Sequence, residues 1–288
     1  MRANVHHYDL TAQPDLPTTL ALLAEARHTP IAGGTELMVA LSAGRLPTKP
    51  LLSIHHLAEL RFIRVEPTTI ILGSGTTFTD LRRHPIIAAG LPLLAQAASW
   101  TGSIANQNRG TLGGNIVNAS PAADSPPALL VYDAVLTLIS ATGTRTVPYA
   151  SFHTGYKATI LRPDELVHSI AIPRQWSAWQ PYIRKVGTRN AQAISKVAIA
   201  SLTRVHAGKI QDIRIAGASL RETPARCLAT ESALRGRSIQ PEDLAETIAL
   251  GRTALASEIR PIDDIRSTAA YRTAVALNIL EELLTTLQ

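Results

Sequence analysis

The stretch Asn108-Arg109-Gly110-Thr111-Leu112-Gly113-Gly114-Asn115 is the most informative part of this 288-residue chain. Glycine has no Cβ, so a glycine-rich turn lets a ligand come close to the backbone N–H groups. Thr111 and Asn115 add hydrogen-bonding side chains on either side of this bare backbone. Such a loop suits a phosphate group. On its own, each Gly-Gly is also compatible with an ordinary turn.

Another glycine loop lies earlier in the chain, at Ile31-Ala32-Gly33-Gly34-Thr35-Glu36, and is called the first loop. The loop at 108–115 is called the second. A short strand is predicted to enter it over residues 30–32, and a helix is predicted to leave it over 36–43 and to end at Gly44. Thr35 offers a hydroxyl beside the paired glycines. Two such loops in one chain indicate a cradle for a pyrophosphate.

Several nucleotide, metal and hydrolase motifs are absent from the sequence. Gly73-Ser74-Gly75 is followed by Phe78 where the Rossmann pattern requires its third glycine. There is no Walker loop, no His-Glu-x-x-His and no Gly-x-Ser-x-Gly. The single cysteine, Cys227, excludes an intramolecular disulfide and a cysteine-ligated metal cluster built from this chain alone. We predict no catalytic residue and no metal ligand.

The composition is typical of a globular protein. Hydrophobic residues make up 45% and charged residues 17%, and no apolar stretch reaches the roughly 18–20 residues of a membrane span. Because the first residues lack the apolar core of a secretory signal, we expect a cytoplasmic location. The net charge is +6, but the basic residues are scattered and aromatics are only 4%. This pattern disfavours nucleic acid and favours an acidic protein partner or a phosphate-bearing ligand.

Helix and strand signals alternate along the first half of the chain. Helices are predicted over 18–27, 36–43, 77–84 and 91–100, and strands over 30–32, 51–54, 62–65, 69–73, 135–140 and 165–173. Thr77 and Asp80 have the spacing of a capping box. Residues 101–128 are rich in Asn, Gly, Ser, Thr and Pro, and they are predicted as one long loop. Its glycines favour a functional loop over a disordered one.

A segment of weak pattern at 174–179 is interpreted as a domain boundary. After it we predict one strand, an antiparallel strand pair and three helices, at 182–186, 196–206, 210–219, 225–234, 241–257 and 267–287. The chain is therefore predicted to be α+β rather than a doubly wound parallel sheet. The domains are predicted to span 1–175 and 178–288.

The second glycine loop, with Asn118-Ala119-Ser120-Pro121-Ala122-Ala123-Asp124-Ser125 after it, resembles the signature of the FAD-binding subunits of molybdenum hydroxylases. That family includes bacterial xanthine dehydrogenases and carbon monoxide dehydrogenases, and the resemblance covers essentially the whole chain. Further matching stretches are Ala32-Gly33-Gly34-Thr35-Glu36-Leu37, Phe152-His153-Thr154-Gly155-Tyr156-Lys157, Leu161-Arg162-Pro163-Asp164-Glu165-Leu166, Arg184-Lys185-Val186-Gly187, Ala191-Gln192-Ala193-Ile194-Ser195-Lys196 and Pro261-Ile262-Asp263-Asp264-Ile265-Arg266-Ser267. The resemblance implies a two-part FAD-binding domain of the vanillyl-alcohol oxidase (PCMH) type. A smaller domain like the carbon monoxide dehydrogenase flavoprotein C-terminal domain would follow, with an antiparallel sheet and three helices.

The resemblance also implies which residues bind FAD. The pyrophosphate and ribityl chain would be wrapped by Pro30, Ile31, Ala32, Gly33, Gly34, Thr35, Glu36, Leu37, Thr111, Leu112, Gly113, Gly114 and Asn115. Asp124 would bind the adenosine ribose, Leu161 would lie against the flavin or adenine, and Lys185 would reach the flavin from the second domain. Thr101 aligns with an aromatic residue that contacts the flavin ring in some relatives.

Each of these residues has an alternative interpretation. Asp124 is also suited to cap a helix that begins at Ser125. Lys185 is compatible with a solvated strand position, and Leu161 with a place in the hydrophobic core. The family often has arginine where this chain has Gln107.

The family's activity implies an electron relay. A large molybdenum-cofactor subunit would hydroxylate the substrate, a small [2Fe-2S] subunit would pass electrons singly, and FAD in this chain would deliver them to NAD, a quinone or oxygen. The three chains would form a heterotrimer that pairs into a dimer. The sequence of residues 189–195 favours a xanthine dehydrogenase subunit over a subunit of carbon monoxide dehydrogenase or of another aromatic-heterocycle or aldehyde hydroxylase. A stand-alone flavin oxidoreductase and a flavin-free scaffold are the alternatives of other classes.

Overall fold

A computed structural model of the chain describes residues 7–189 and 192–288. Residues 1–6, where we expected no secretory signal, lie outside the described residues. Asn190 and Ala191, which belong to the stretch 189–195 that resembles xanthine dehydrogenase, also lie outside them. The described part contains the following strands: β1 Leu10–Ala12, β2 Thr29–Ile31, β3 Leu51–Ser53, β4 Ile63–Val65, β5 Thr69–Gly73, β6 Val135–Ser140, β7 Gly143–Pro148, β8 His153–Gly155, β9 Ala158–Thr159, β10 Leu166–Pro173, β11 Gln180–Val186, β12 Val197–His206, β13 Lys209–Ala218 and β14 Ala225–Arg226. Its α-helices are α1 Leu16–Leu23, α2 Leu37–Ser42, α3 Phe78–Arg83, α4 Pro85–Gly90, α5 Pro92–Trp100, α6 Ile104–Arg109, α7 Leu112–Val117, α8 Ser125–Val131, α9 Leu228–Leu234, α10 Leu244–Glu258 and α11 Ala269–Thr285.

The first part of the chain begins with a small parallel sheet in the order β1-β3-β2. Helix α1 begins where the side chain of Asp15 accepts a hydrogen bond from the Thr18 N–H, which caps an otherwise unsatisfied donor. Its leucines pack with Leu52 of the central strand in a separate hydrophobic cluster. Strand β2 delivers the chain directly into the first glycine loop.

A five-stranded antiparallel sheet in the order β4-β5-β10-β6-β7 forms the body of the first part. Its alternate apolar side chains, such as Leu136, Leu138 and Ile170, are buried under helices α3 to α8. The capping box at the start of α3 is confirmed, since Thr77 accepts from the Asp80 N–H and Asp80 accepts from the Thr77 N–H.

The second part of the chain is a four-stranded antiparallel sheet, β11-β12-β13-β14, covered by α9, α10 and α11. The predicted antiparallel pair is confirmed as β12 and β13, which pair from His206↔Lys209 to Ala198↔Ala218. The connecting turn holds Ala207 and Gly208 at positive φ. The first predicted helix of this part begins at Leu228 rather than Ala225, because Ala225 and Arg226 pair with β13 as β14.

Helix α8 is buried on all sides between the two sheets, and each of its seven residues is buried. Ala200, Leu202 and Ala216 of the second sheet belong to the same hydrophobic cluster as the core of the first part. The Arg214 guanidinium donates to the Val131 carbonyl at the end of α8 and pairs with Asp133. The two parts therefore share a core. The α+β class and the two-part arrangement are confirmed.

The predicted long loop at 101–128 is wrong, because the structure places α6, α7 and the start of α8 in it. The side chains of Ser103 and Thr111 cap the first two of these helices, accepting from Asn106 and Gly114 N–H groups. Pro126 and Pro127 suit the first turn of the third, where no partner for a backbone N–H is needed. These helices have six or seven residues, too short to show a helical period against a polar composition.

Candidate functional site

The first glycine of each pair makes a close contact inside the protein: Gly33 packs against the second loop, and Gly113 packs against Ser74. A Cβ added to Gly33 would overlap the backbone carbonyl of Arg109. A Cβ added to Gly113 would lie 2.5 Å from the Ser74 Cβ. Gly33 and Gly113 are therefore required by contacts within the protein, independently of any ligand.

An added Cβ at the second glycine of each pair would meet side-chain atoms rather than backbone. Gly34 has φ +75°, which favours glycine, and the nearest atoms to an added Cβ are flexible side chains at 3.5 Å or more. A Cβ added to Gly114 would meet only the Thr111 hydroxyl, at 2.9 Å. At these two positions the absence of a side chain leaves the loop surface bare.

The loops differ in the backbone donors that they leave free. Within residues 7–189 and 192–288, the five consecutive N–H groups of residues 33–37 donate to no protein acceptor. In the second loop, the N–H groups of Leu112, Gly113, Gly114 and Asn115 all donate to protein oxygens. The first loop can thus offer hydrogen bonds to an anion, whereas the second supplies shape.

A groove of about 680 Å³ opens beside the first loop. Its walls are Gly33, Gly34, Thr35, Met38, Val39, Ser42, Ala43, Ala105, Asn106 and Arg109. No carboxylate is among these residues, and Arg109 is the cationic residue among them. Free N–H groups, a nearby cation and the bare Gly34 backbone fit a diphosphate.

Lys157 joins the two loops from the hairpin of β8 and β9. Its ammonium donates to the Asn118 side-chain oxygen at 2.6 Å and to the Glu36 carboxylate at 3.1 Å. The contact crosses 121 positions of sequence, so the sequence pattern did not identify it. Lys157 belongs to a stretch that matches the family, which was the available signal.

Asp124 and Lys185 form a buried ion pair where the two parts of the chain meet. The Lys185 ammonium donates to one Asp124 oxygen at 2.7 Å and to the Trp100 carbonyl at 3.2 Å. The Ser195 hydroxyl donates to the other Asp124 oxygen at 2.6 Å. The side chains of Asp124 and Lys185 are 10% and 5% exposed.

This geometry bears on the non-functional interpretation of each residue. Asp124 precedes α8 but its side chain makes no capping hydrogen bond, so the capping interpretation is wrong. Lys185 is not a solvated strand residue. Burial raises the pKa of the Asp124 carboxyl, while Lys185 and Ser195 oppose that rise. The carboxylate therefore has one donor on each oxygen, and one of the two donors, Lys185, is a cation.

The remaining predicted residues lie around these two groups. Thr101 ends α5, next to the carbonyl that binds Lys185, and its hydroxyl donates to the Ala97 carbonyl. Leu161 is half-buried and packs against the core. Asn115 accepts a hydrogen bond from Ser125 at 2.6 Å, which connects the second glycine loop to the residue beside Asp124.

Sequence reasoning missed Ser195 and Arg109 as well as Lys157. Both missed residues occur in stretches that match the family, but no spacing rule links Ser195 to Asp124, 71 positions away. Arg109 precedes the second glycine loop, and only the fold places it at the groove beside the first.

Comparison with known proteins gives two family matches. Residues 8–175 match the FAD binding domain in molybdopterin dehydrogenase, and residues 182–287 match the CO dehydrogenase flavoprotein C-terminal domain. No helix in the described ranges is long and apolar enough to cross a membrane.

Related proteins match over most of their length. The xanthine dehydrogenase FAD-binding subunit of Escherichia coli O157:H7 is 32% identical over 244 residues, 84% of this chain and 82% of that one. The carbon monoxide dehydrogenase medium chain of Hydrogenophaga pseudoflava is 30% identical over 258 residues, 88% and 87% of the two chains. A solved structure of carbon monoxide dehydrogenase from Hydrogenophaga pseudoflava superposes with a TM-score of 0.90 at 29% identity, covering 96% of this chain and 95% of that one. With both domains matched in order and a groove that fits a diphosphate, the chain belongs to the FAD-binding medium subunits of the molybdenum hydroxylases and is an FAD-dependent oxidoreductase subunit.

Proposed function

We propose that this chain is the electron-delivering subunit of a cytoplasmic, xanthine dehydrogenase-like complex. A small [2Fe-2S] subunit would supply the electrons and NAD would receive them. A large molybdenum-cofactor subunit would oxidise a purine-like heterocycle. The relatives named for xanthine, nicotinate and caffeine support an aromatic-heterocycle substrate. A quinone or oxygen is the alternative acceptor.

The observation that carries the site assignment is the row of free N–H groups at residues 33–37. We place the FAD diphosphate against this row, with Gly34 and Gly114 providing close approach and Arg109 opposing its charge. When bound, FAD accepts electrons one at a time and releases them as a pair. The other predicted residues, Pro30, Ile31, Ala32, Leu112 and Gly113, shape the two loops.

The direct contact between Asp124 and Lys185 argues that both residues face the same end of FAD. The resemblance assigned one to the adenosine ribose and the other to the flavin, which lie at opposite ends of the cofactor. Lys185 is bound to the Trp100 carbonyl beside Thr101, and Thr101 aligns with a flavin-contacting position. We therefore assign the pair to the flavin end, with Leu161 as an apolar wall.

Co-expression of this chain with candidate iron–sulfur and molybdenum-cofactor subunits tests this function. The purified chain should contain about one equivalent of FAD, identified by mass after release. Xanthine should reduce that flavin only in the presence of both partners, and NAD should then reoxidise it.

Other outcomes are equally decisive. Reduction by a substrate in the absence of the partners would establish a stand-alone oxidoreductase. Reoxidation by a quinone or oxygen but not by NAD would contradict the proposed acceptor. A chain that holds no flavin alone or with its partners would contradict the site.

A further inference from the structure

Ser195 lies at the centre of a hydrogen-bond network that joins the two parts of the chain. Its hydroxyl donates to Asp124, and its carbonyl accepts from the Ser219 hydroxyl at 2.8 Å. The Ser219 N–H in turn donates to the Pro121 carbonyl at 2.8 Å. Ser195 is 1% exposed, so water does not compete for these bonds.

The network leaves Lys185 with one unused donor. A lysine ammonium has three N–H donors, and two of them are bound to Asp124 and the Trp100 carbonyl. The third is available to a ligand. The direction of that donor depends on Asp124, whose own position depends on Ser195.

We propose that Ser195 is a positioning residue of the flavin site, whose hydroxyl keeps Asp124 ionised so that the Asp124–Lys185 pair carries no net charge beside FAD. This inference rests on the proposed placement of the pair at the flavin end. Loss of the hydroxyl would leave Asp124 with one donor instead of two, which favours its protonated form. Protonation of Asp124 would leave the Lys185 charge uncompensated and favour flavin reduction.

The charged surroundings of Asp124 are simple. Lys185 on β11 is the charged group that acts on it in the described part of the chain, and the Ser195 hydroxyl is the further donor. Helix α8, which follows Asp124, carries no titratable side chain. Burial raises the pKa of Asp124, so a change in hydrogen bonding is expressed as a change in the pH at which it ionises.

The test is the midpoint potential of the bound flavin between pH 5 and 9, measured by dye-equilibrated reduction of the full chain. Ser195→Ala is compared with the wild type, with Ser195→Thr, and with Ser201→Ala, which removes a buried hydroxyl outside the network. Asp124→Asn marks the potential of the uncompensated Lys185, which should be less negative than the wild-type value at pH 9. As the pH is lowered, the flavin potential of each protein should approach that of Asp124→Asn. We expect Ser195→Ala to do so at a pH about one unit higher than the wild type, which corresponds to a tenfold change in the proton affinity of Asp124. Ser195→Thr should restore the wild-type profile and Ser201→Ala should leave it unchanged.

A Ser195→Ala profile that coincides with the wild type, while Asp124→Asn shifts the potential, would overturn the inference and leave the proposed function standing. If Asp124→Asn and Lys185→Met both leave flavin content and potential unchanged, the placement of the pair at FAD is wrong instead. If a variant loses its flavin, its potential cannot be measured. A double-mutant cycle of Ser195→Ala and Asp124→Asn, measured by thermal unfolding of the flavin-free chain, then replaces the potential measurement. Coupling that is larger at pH 8 than at pH 5 supports the inference, and additive effects at both pH values overturn it.

Discussion

Gly114→Val separates ligand binding from folding in this chain. The added side chain starts at an open surface, where the only close neighbour is the Thr111 hydroxyl at 2.9 Å. It would occupy the space that we assign to the FAD pyrophosphate. Gly113→Ala is the matched control, because its Cβ would point inward, 2.5 Å from the Ser74 Cβ.

The expected magnitudes differ for the two variants. At position 114, replacing glycine within a helix recovers up to about 0.5 kcal/mol, while disturbing the Thr111 cap costs about 0.5–2 kcal/mol. The net loss of unfolding free energy is therefore at most about 2 kcal/mol. Overpacking at Gly113 costs about 1–3 kcal/mol, and each kcal/mol lowers Tm by about 2–4 °C in a chain of this size class. Steric exclusion of about 3 kcal/mol at position 114 weakens FAD binding by roughly 100-fold.

The assay combines flavin content, FAD titration of the flavin-free chain and thermal unfolding followed by circular dichroism. Gly114→Val should lose its flavin on purification and keep the secondary structure and nearly the Tm of the flavin-free wild type. Gly113→Ala should lose several degrees in Tm even without flavin. Wild-type flavin content in Gly114→Val would refute the assignment of this loop to the pyrophosphate.

Two further predictions concern ion pairs. Lys157→Met should raise the Kd for FAD about two- to fivefold, because Glu36 and Asn118 lose their contacts with the Lys157 ammonium. The increase is small because an exposed ion pair is worth at most about 1 kcal/mol. An unchanged Kd in fluorescence titration would contradict a role of Lys157 in holding the first loop. Glu165→Gln should lower the unfolding free energy by about 1–2 kcal/mol at pH 7, because the two-fold hydrogen bond from Arg145 holds the pKa of Glu165 below its ordinary value. That stabilisation exists above the unfolded-state pKa of about 4.3 and is lost as the pH falls through the lower folded-state pKa. In urea unfolding, the unfolding free energies of Glu165→Gln and the wild type should therefore converge below about pH 4. A difference that stays constant with pH would contradict the ion pair as its source.

Local signals in the sequence predicted many elements of the fold. The alternation in Thr69–Gly73 and Val135–Ser140 and the capping box at Thr77 each depend on residues a few positions apart. Residues 101–128 defeated the same reasoning, because short helices that are buried by neighbours need little helical propensity of their own. Their caps at Ser103 and Thr111 were visible in the sequence, but the polar composition outweighed them.

The candidate site divides in the same way. The glycine pairs were recognisable from the sequence, whereas their roles were not. Gly33 and Gly113 serve contacts with Arg109 and Ser74, whereas an added Cβ at Gly34 or Gly114 would meet only side-chain atoms. A motif gives the position of a glycine, but the space around its missing Cβ is a property of the packed chain.

The sequence by itself predicted the α+β class and the two glycine loops, which follow from residue type and short spacing and are independent of the final packing. The resemblance to a flavin-binding family added that membership and pointed to Asp124 and Lys185 as site residues. Only the tertiary structure decided that the first loop holds the free N–H groups, and that Asp124 binds Lys185 and Ser195 across 61 and 71 positions. The physical reason is that α8 is buried between two sheets from different parts of the chain, so its neighbours are set by shared hydrophobic packing that no local pattern encodes.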